Sequence, residues 1–292
     1  MPAEHVFSTT DGRRNGLTPA QLRSRAFLRP IRGVRISAES DEFEARLMAF
    51  AVHRSWRDFV FSHSTAARLL GIPLPLYCGR DVHVSVPAGA RAPAISGYVG
   101  HALTRWSVTE VGGFPVTSPA QTWLDLATML HPEDLVIAGD HLVGAKAPLA
   151  TVEELRAAIA ASAGRRGSGR ARSALDRVRI GSESPGETRL RLLIADAGLP
   201  EPVLNHNILD PGGAFIARVD LAYPERRVAL EYEGDIHRVD RRTWMNDISR
   251  RERVEDLGWR MIRITADDLH RPAPLLIRIR RLLSTRPTRS SK

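Results

Sequence analysis

The chain has 292 residues and a mass of 32.3 kDa, long enough for two ordinary domains, and its 43% hydrophobic content excludes global disorder. Its 42 basic and 33 acidic residues give a net charge of +9, and apart from Lys146 and Lys292 every basic residue is arginine, whose planar fork suits phosphate or carboxylate. The lone Cys78 excludes an internal disulfide and a multi-cysteine zinc site. No apolar run approaches the ~20 residues of a membrane helix, and the opening residues lack signal-peptide character. These features predict a cytoplasmic protein with no membrane and no small-molecule cofactor, and with a polyanion, DNA first, as its partner.

In chain order, residues 8–36 read as a small basic unit. A short helix precedes the turn Asn15-Gly16, and Thr18-Pro19-Ala20-Gln21 starts a second helix with Leu22 and Ala26 inward. Residues 28–36, broken at Gly33, read as a β-wing. Between Arg13 and Arg35 there are seven arginines and no acid. A helix-turn-helix needs cations that position it on phosphates, so Arg13, Arg14, Arg23, Arg25, Arg32 and Arg35 are the candidate DNA contacts. An ordinary solvated basic face is the alternative. From Phe43 a helix begins, and residues 41–155 mix it with strand-like runs such as 82–86 and helical stretches at 119–129 and 151–161. Helix caps and turns account for the polar residues His63, Ser64, Thr117 and Asp125.

Residues 5–155 resemble AbiEi-type antitoxins of type IV toxin–antitoxin systems. The likeness is carried by the basic helix-turn-wing segment, by Ser62-His63-Ser64-Thr65-Ala66-Ala67, by the strand 82–86, and by Gly113-Phe114-Pro115-Val116-Thr117 with Ser118-Pro119-Ala120-Gln121-Thr122-Trp123-Leu124-Asp125. The resemblance implies DNA binding and transcriptional autoregulation, and it leaves a cognate toxin or another protein open as a second partner.

Residues 161–182 carry six arginines against Asp176, with four glycines and four serines, and read as a basic, partly flexible linker. The C-terminal part reads as α-β-β-β-α-β-α. A helix starts at Ser184-Pro185-Gly186-Glu187 and stops at Gly198. Strands follow at 203–208, 214–222 and 228–233, then a helix at 241–257, a strand at 259–265 and one final helix at 267–283. Asp220 sits near the end of the second strand, and Glu231 and Glu233 share one face of the third. If that hairpin pairs as drawn, Asp220 and Glu231 are neighbours. Such acids can hold a hard cation, Mg²⁺ or Mn²⁺, beside a phosphodiester, or can be solvated or paired with arginine. Glu187 is accounted for by a capping box, and Asp247 with Arg250 and Arg251 by a helix-surface ion pair. His237 follows the third strand and could donate to phosphate or shuttle a proton.

This segment resembles a bacterial domain of unknown function grouped with the very-short-patch repair endonucleases in the PD-(D/E)XK nuclease superfamily. The residues that carry the likeness are Arg218-Val219-Asp220, Ala229-Leu230-Glu231-Tyr232-Glu233-Gly234 with His237, Asp247-Ile248-Ser249-Arg250, and Leu257-Gly258-Trp259-Arg260-Met261-Ile262-Arg263. The resemblance implies that Asp220 and Glu231 bind the metal, that Glu187 is a third acid, and that His237, Asp247 and Arg250 line the same cleft. Where the superfamily carries a lysine that orients the attacking water, this chain has Glu233.

The expected fold class is an α+β N-terminal region with a winged helix-turn-helix, followed by an α/β restriction-endonuclease-like domain. The expected boundaries are 1–40, 41–160, 161–182 (linker), 183–285 and 286–292 (tail). The expected function is a metal-dependent DNA endonuclease, with catalytic candidates Asp220, Glu231, Glu233, His237 and Glu187 and with Arg250 at the DNA. The alternatives are a non-catalytic DNA-binding antitoxin or transcriptional regulator with a degenerate nuclease fold, and a protein-interaction module.

Overall fold

The computed structural model describes residues 6–53, 58–234 and 241–284, with the backbone alone for 241–248. His237 and the tail from 286 onward lie outside the described residues, as does the side chain of Asp247. The protein is mixed α+β and divides into two compact units, Met1–His131 with Glu153–Arg172, and Pro132–Val152 with Ser173–Lys292. Residues 161–182 are therefore not a bare linker: they contain a helix in which Ala171 and Ala174 are buried.

The first unit begins with β1 (Val6–Ser8), α1 (Thr9–Arg14), α2 (Pro19–Leu22), β2 (Phe27–Leu28) and β3 (Val34–Ser37), the strands pairing in the order β1-β3-β2. The capping box at Thr18 and Gln21 forms as read. The helix it starts is a single turn, however, so Ala26 lies beyond it and is exposed rather than inward. Arg13, Arg14, Arg23, Arg25 and Arg32 face solvent. Arg35 does not: its Nε donates to the Leu22 carbonyl at 2.6 Å and Nη1 to that of Val34 at 2.8 Å, tying the β-hairpin to α2.

There follow α3 (Glu42–Val52), β4 (Val60–Phe61), α4 (His63–Leu69), β5 (Val82–Pro87), β6 (Tyr98–Leu103), β7 (Val108–Val111), β8 (Phe114–Thr117) and α5 (Pro119–Leu126). These strands form a mixed sheet of order β6-β5-β4-β8-β7. Phe50 of α3 anchors the core, with its ring centroid 5.0 Å from Phe59 and 5.4 Å from Tyr98. Next along the chain are α6 (Pro132–Leu142), α7 (Val152–Ala160) and α8 (Ser168–Leu175). Linker arginines have structural work here, since Arg170 Nη1 donates to the carbonyls of Ala127 at 2.9 Å and Leu130 at 3.0 Å.

The second unit continues from α6 with α9 (Pro185–Asp196), β9 (Val203–Leu209), β10 (Phe215–Tyr223), β11 (Val228–Tyr232), α10 (Arg241–Asp256), β12 (Arg260–Ile264), α11 (Ala266–His270) and α12 (Ala273–Ser284). Its sheet order is β12-β11-β10-β9. Strands β9, β10 and β11 are antiparallel neighbours, whereas β12 runs parallel to β11 because α10 supplies the crossover. One face buries Leu221, Leu230 and Ile262 with Leu190 of α9 and Ile279 of α12, and the other buries Ala229 and Met261 with Val254 of α10. Burial on both faces explains why β11 is a continuous apolar run up to Glu231. The single C-terminal helix expected at 267–283 is two helices, because Pro272 lacks an N–H and disfavours the helical conformation at Arg271.

Candidate active site

Residues Leu221 and Leu230 pair across β10 and β11, and continuing that antiparallel register sets Asp220 opposite Glu231. The next backbone donor beyond, Tyr232 N–H, gives its hydrogen bond to Asp220 Oδ2 at 2.8 Å. A carboxylate thus stands where a strand carbonyl would otherwise accept.

Glu187 reaches the same place from α9. Ser184 caps that helix by accepting from the Glu187 N–H at 3.2 Å, but the glutamate side chain does not return to the Ser184 N–H as a capping box would. It accepts instead from the Glu183 N–H at 2.8 Å and feels the charge of Asp220. The close approach of α9 to β11 depends on Gly186, against which the Tyr232 ring packs: a Cβ there would lie 2.0 Å from Tyr232 Cε1.

Burial raises the carboxyl pKa values of Glu187, Asp220 and Glu231. The charge of Asp220 adds to the rise at Glu187 and Glu231, and that of Glu183 to the rise at Asp220. Arginine opposes the effect: Arg250 Nη2 lies 2.9 Å from Glu231 Oε1, and Arg250 Nη1 donates to the Arg218 carbonyl at 3.3 Å. Arg218 itself pairs with Glu183. Arg250 is thus held by Glu231 and the β10 backbone. Glu233, just past β11, is half-buried and pairs with Arg263 at 2.9 Å. Of the acids read from the sequence, Asp220, Glu231 and Glu187 form one electrostatically coupled group, and Glu233 is bound elsewhere. Glu183 was not singled out, and Arg218, Tyr232 and Gly186 stand inside the quoted motifs without having been given a role.

The first unit holds a different polar cluster. None of its four residues read as caps or turns caps a helix: the Ser62 side chain leaves α4 uncapped, Ser64 Oγ is buried without a hydrogen-bond partner among the described residues, and Ser118 caps α5. Thr117 bonds to Thr122 at 2.7 Å. Asp125 is fully buried, with Oδ1 accepting from Gln121 at 2.8 Å and from Arg165 at 2.9 Å. Its Oδ2 has no hydrogen-bond partner among the described residues.

Burial lifts the Asp125 pKa from 3.8 to about 6 against the pull of Arg165. The native state then binds more proton than the unfolded chain between those values, so stability falls as pH rises through that window, by about 3 kcal/mol in all. Asp125→Asn keeps an oxygen for Arg165 or Gln121 and removes the ionisation. It is expected to flatten the decline in the first unit's unfolding midpoint between pH 4 and pH 7, and an unchanged slope would show that Asp125 ionises at its ordinary value.

No family model matches the chain. Fold and sites define a two-unit α+β protein with a coupled carboxylate group on its second unit. Two curated proteins of Mycobacterium tuberculosis, the uncharacterized protein Rv2248 of strain ATCC 25618 / H37Rv and the uncharacterized protein MT2308 of strain CDC 1551 / Oshkosh, are each 32% identical to it over 232 residues, covering 77% of this chain and 83% of theirs. The chain belongs to the family of these mycobacterial proteins.

Proposed function

We propose that this protein is a divalent-metal-dependent DNA endonuclease brought to its substrate by basic surface on the N-terminal unit. The observation that carries the reading is the coupled carboxylate group of Asp220, Glu231 and Glu187 at the point where β10 and β11 end their pairing. Buried acids whose pKa is raised by a neighbouring carboxylate favour capture of a cation, and an all-oxygen donor set fits Mg²⁺ or Mn²⁺. Bound there by Asp220 and Glu231, such an ion would supply Lewis-acid stabilisation of the phosphodiester transition state. Tyr232 N–H holds the Asp220 carboxylate in place, and Arg250 is set to exchange Glu231 for a phosphate oxygen. His237, or Glu233 in the position of the superfamily lysine once released from Arg263, assists the departure of the proton of the attacking water. His237 and Asp247 are assigned to the same cleft by the resemblance alone.

Support for DNA delivery comes from Arg13, Arg14, Arg23, Arg25 and Arg32, all exposed around α1, α2 and the β2–β3 hairpin. In the winged helix-turn-helix reading the hairpin is the wing. The single turn of α2 is short for a base-reading helix, which favours contacts to phosphates over sequence readout.

One observation favours the alternative, a non-catalytic DNA-binding regulator: Glu231 and Glu233 already have arginine partners. Incubation with supercoiled plasmid in Mg²⁺, Mn²⁺ or EDTA separates the two. Metal-dependent nicking by the wild type, reduced at least ~100-fold in Asp220→Asn/Glu231→Gln, is the expected result, since metal stabilisation of the transition state contributes several kcal/mol. Salt-sensitive plasmid binding without nicking would establish the regulator instead, and equal nicking by both proteins would remove the site.

A further inference from the structure

Three histidines of the first unit come together from separate elements. His63 opens α4, His83 lies on β5 and His101 on β6. The parallel pairing of β5 with β6 sets His101 opposite Ser85, two residues from His83 on the same face of the strand. The Ser62 N–H donates to the His83 carbonyl at 3.1 Å, which brings the start of α4 onto β5. His63 sits at φ 51°, a left-handed conformation unusual for a non-glycine residue and one that calls for a reason in its surroundings.

We infer that His63, His83 and His101 form a binding site for one transition-metal dication of the Zn²⁺ type. One ring nitrogen from each falls within 4.8 Å of the others, and no other described His, Cys, Asp or Glu side chains converge so closely. His83 Nδ1 and His101 Nε2 are 2.9 Å apart. Zn–N bonds of 2.0–2.1 Å place tetrahedral ligand nitrogens roughly 3.3 Å from one another, so this pair needs to part by only a few tenths of an ångström. The rings are stacked, His63 on His101 at 3.7 Å and His83 on His101 at 5.1 Å between centroids. Turning them toward a common ion is a rotation about χ2, which is soft in imidazoles.

Support for the imidazole orientation is also present. Ser62 Oγ lies 2.9 Å from His63 Nδ1 and accepts from Ser85 Oγ at 2.7 Å. A His63 that donates Nδ1–H to this hydroxyl presents Nε2 to the metal, the arrangement that outer hydrogen bonds impose on metal-bound histidines. Arg165, whose charge bears on His63 and His101, is paired with Asp125 at 2.9 Å and so does not leave a bare cation beside the ion. Three imidazoles select a borderline metal over Mg²⁺, so this site and the carboxylate group of the second unit differ in metal preference.

The test uses the full-length, tag-free chain after EDTA treatment and dialysis. Titration calorimetry with ZnCl₂ in excess Mg²⁺, which occupies the carboxylate group and not the imidazoles, is expected to show one tight site per chain. Co²⁺ should produce visible d–d absorption, and the X-ray absorption spectrum of the zinc form should show three imidazole scatterers. These two readings need no variant. Affinity should fall at least ~100-fold in His83→Gln/His101→Gln and ~10-fold in Ser62→Ala, while Asp220→Asn/Glu231→Gln keeps the wild-type value. Circular dichroism reports whether each variant is folded. Absence of zinc binding, a spectrum without imidazole scattering, or loss of the site in the carboxylate variant rather than in the histidine variant would overturn the assignment.

Discussion

Asp140→Ala is expected to destabilise the second unit by about 3 kcal/mol, the lower end of what breaking a buried ion pair from one side costs, because Glu201 stays beside Arg191. Asp140 and Arg191 are both about 1% exposed, with Arg191 Nη2 at 2.7 Å from Asp140 Oδ2. The carboxylate also accepts from the Arg179 N–H at 2.8 Å and the Thr188 hydroxyl at 2.9 Å. Truncation would leave the Arg179 amide without its acceptor and Arg191 with only the Glu201 carboxylate at 3.3 Å and the Arg177 carbonyl at 2.9 Å, while Thr188 keeps Ser182. Arg191→Met should cost less, because Asp140 keeps two donors and can take up a proton. Burial already raises the Asp140 pKa against the pull of Arg191, and removing the arginine raises it further. The native state of that variant then binds the extra proton as pH falls, so its deficit should shrink toward acid pH, whereas the loss in Asp140→Ala has no such relief. Denaturation midpoints of the two variants at pH 5 and pH 8 check this, and parallel pH profiles would show that Asp140 does not take up the proton.

Gly186→Ala is the second substitution with a large expected effect. The added Cβ would stand 2.0 Å and 2.2 Å from two carbons of the Tyr232 ring, too close for relaxation without moving the ring or the start of α9. Overpacking of this kind costs about 1–3 kcal/mol. Under the proposed function the larger effect is on cleavage. Displacing α9 carries Glu187 from Asp220, and Tyr232 is the residue whose N–H holds Asp220. A misplacement near 1 Å can cost ~100-fold in rate. Tyr232→Ala combined with Gly186→Ala should restore much of the stability by clearing the clash. Failure of that rescue, with the single variant still destabilised, would place the strain elsewhere.

The two substitutions mark different depths of legibility. Gly186 and Glu187 belong to a local signal, serine then proline then glycine then glutamate, and the helix begins at Pro185 as that signal dictates. The signal could not say that the glutamate would pass over the Ser184 N–H for that of Glu183 and come under the charge of Asp220, which β10 brings from elsewhere in the chain. The Asp140–Arg191 pair gave no sequence signal. The two lie 51 residues apart, and Asp140 was read as part of a middle domain, yet α6 belongs to the unit that contains α9.

By itself the sequence determined what nearest neighbours and strict periodicity control. The run of elements from α9 to β12, the capped starts at Thr18 and Ser184 and the placing of Asp220 across from Glu231 all follow from cap chemistry and the two-residue repeat of a strand. Tertiary structure decided which distant groups meet. Residues 161–182 look like a flexible linker by composition, but Arg165 and Arg170 find Asp125 and two helix-end carbonyls to bind, and Ala171 and Ala174 are buried. His83 and His101, unremarkable alone, become neighbours only through parallel strand pairing, whose register is set by burial of a whole sheet face and cannot be read from either strand. Charge pairing and metal-ligand geometry depend on distances between atoms far apart in the chain, and folding alone supplies those distances.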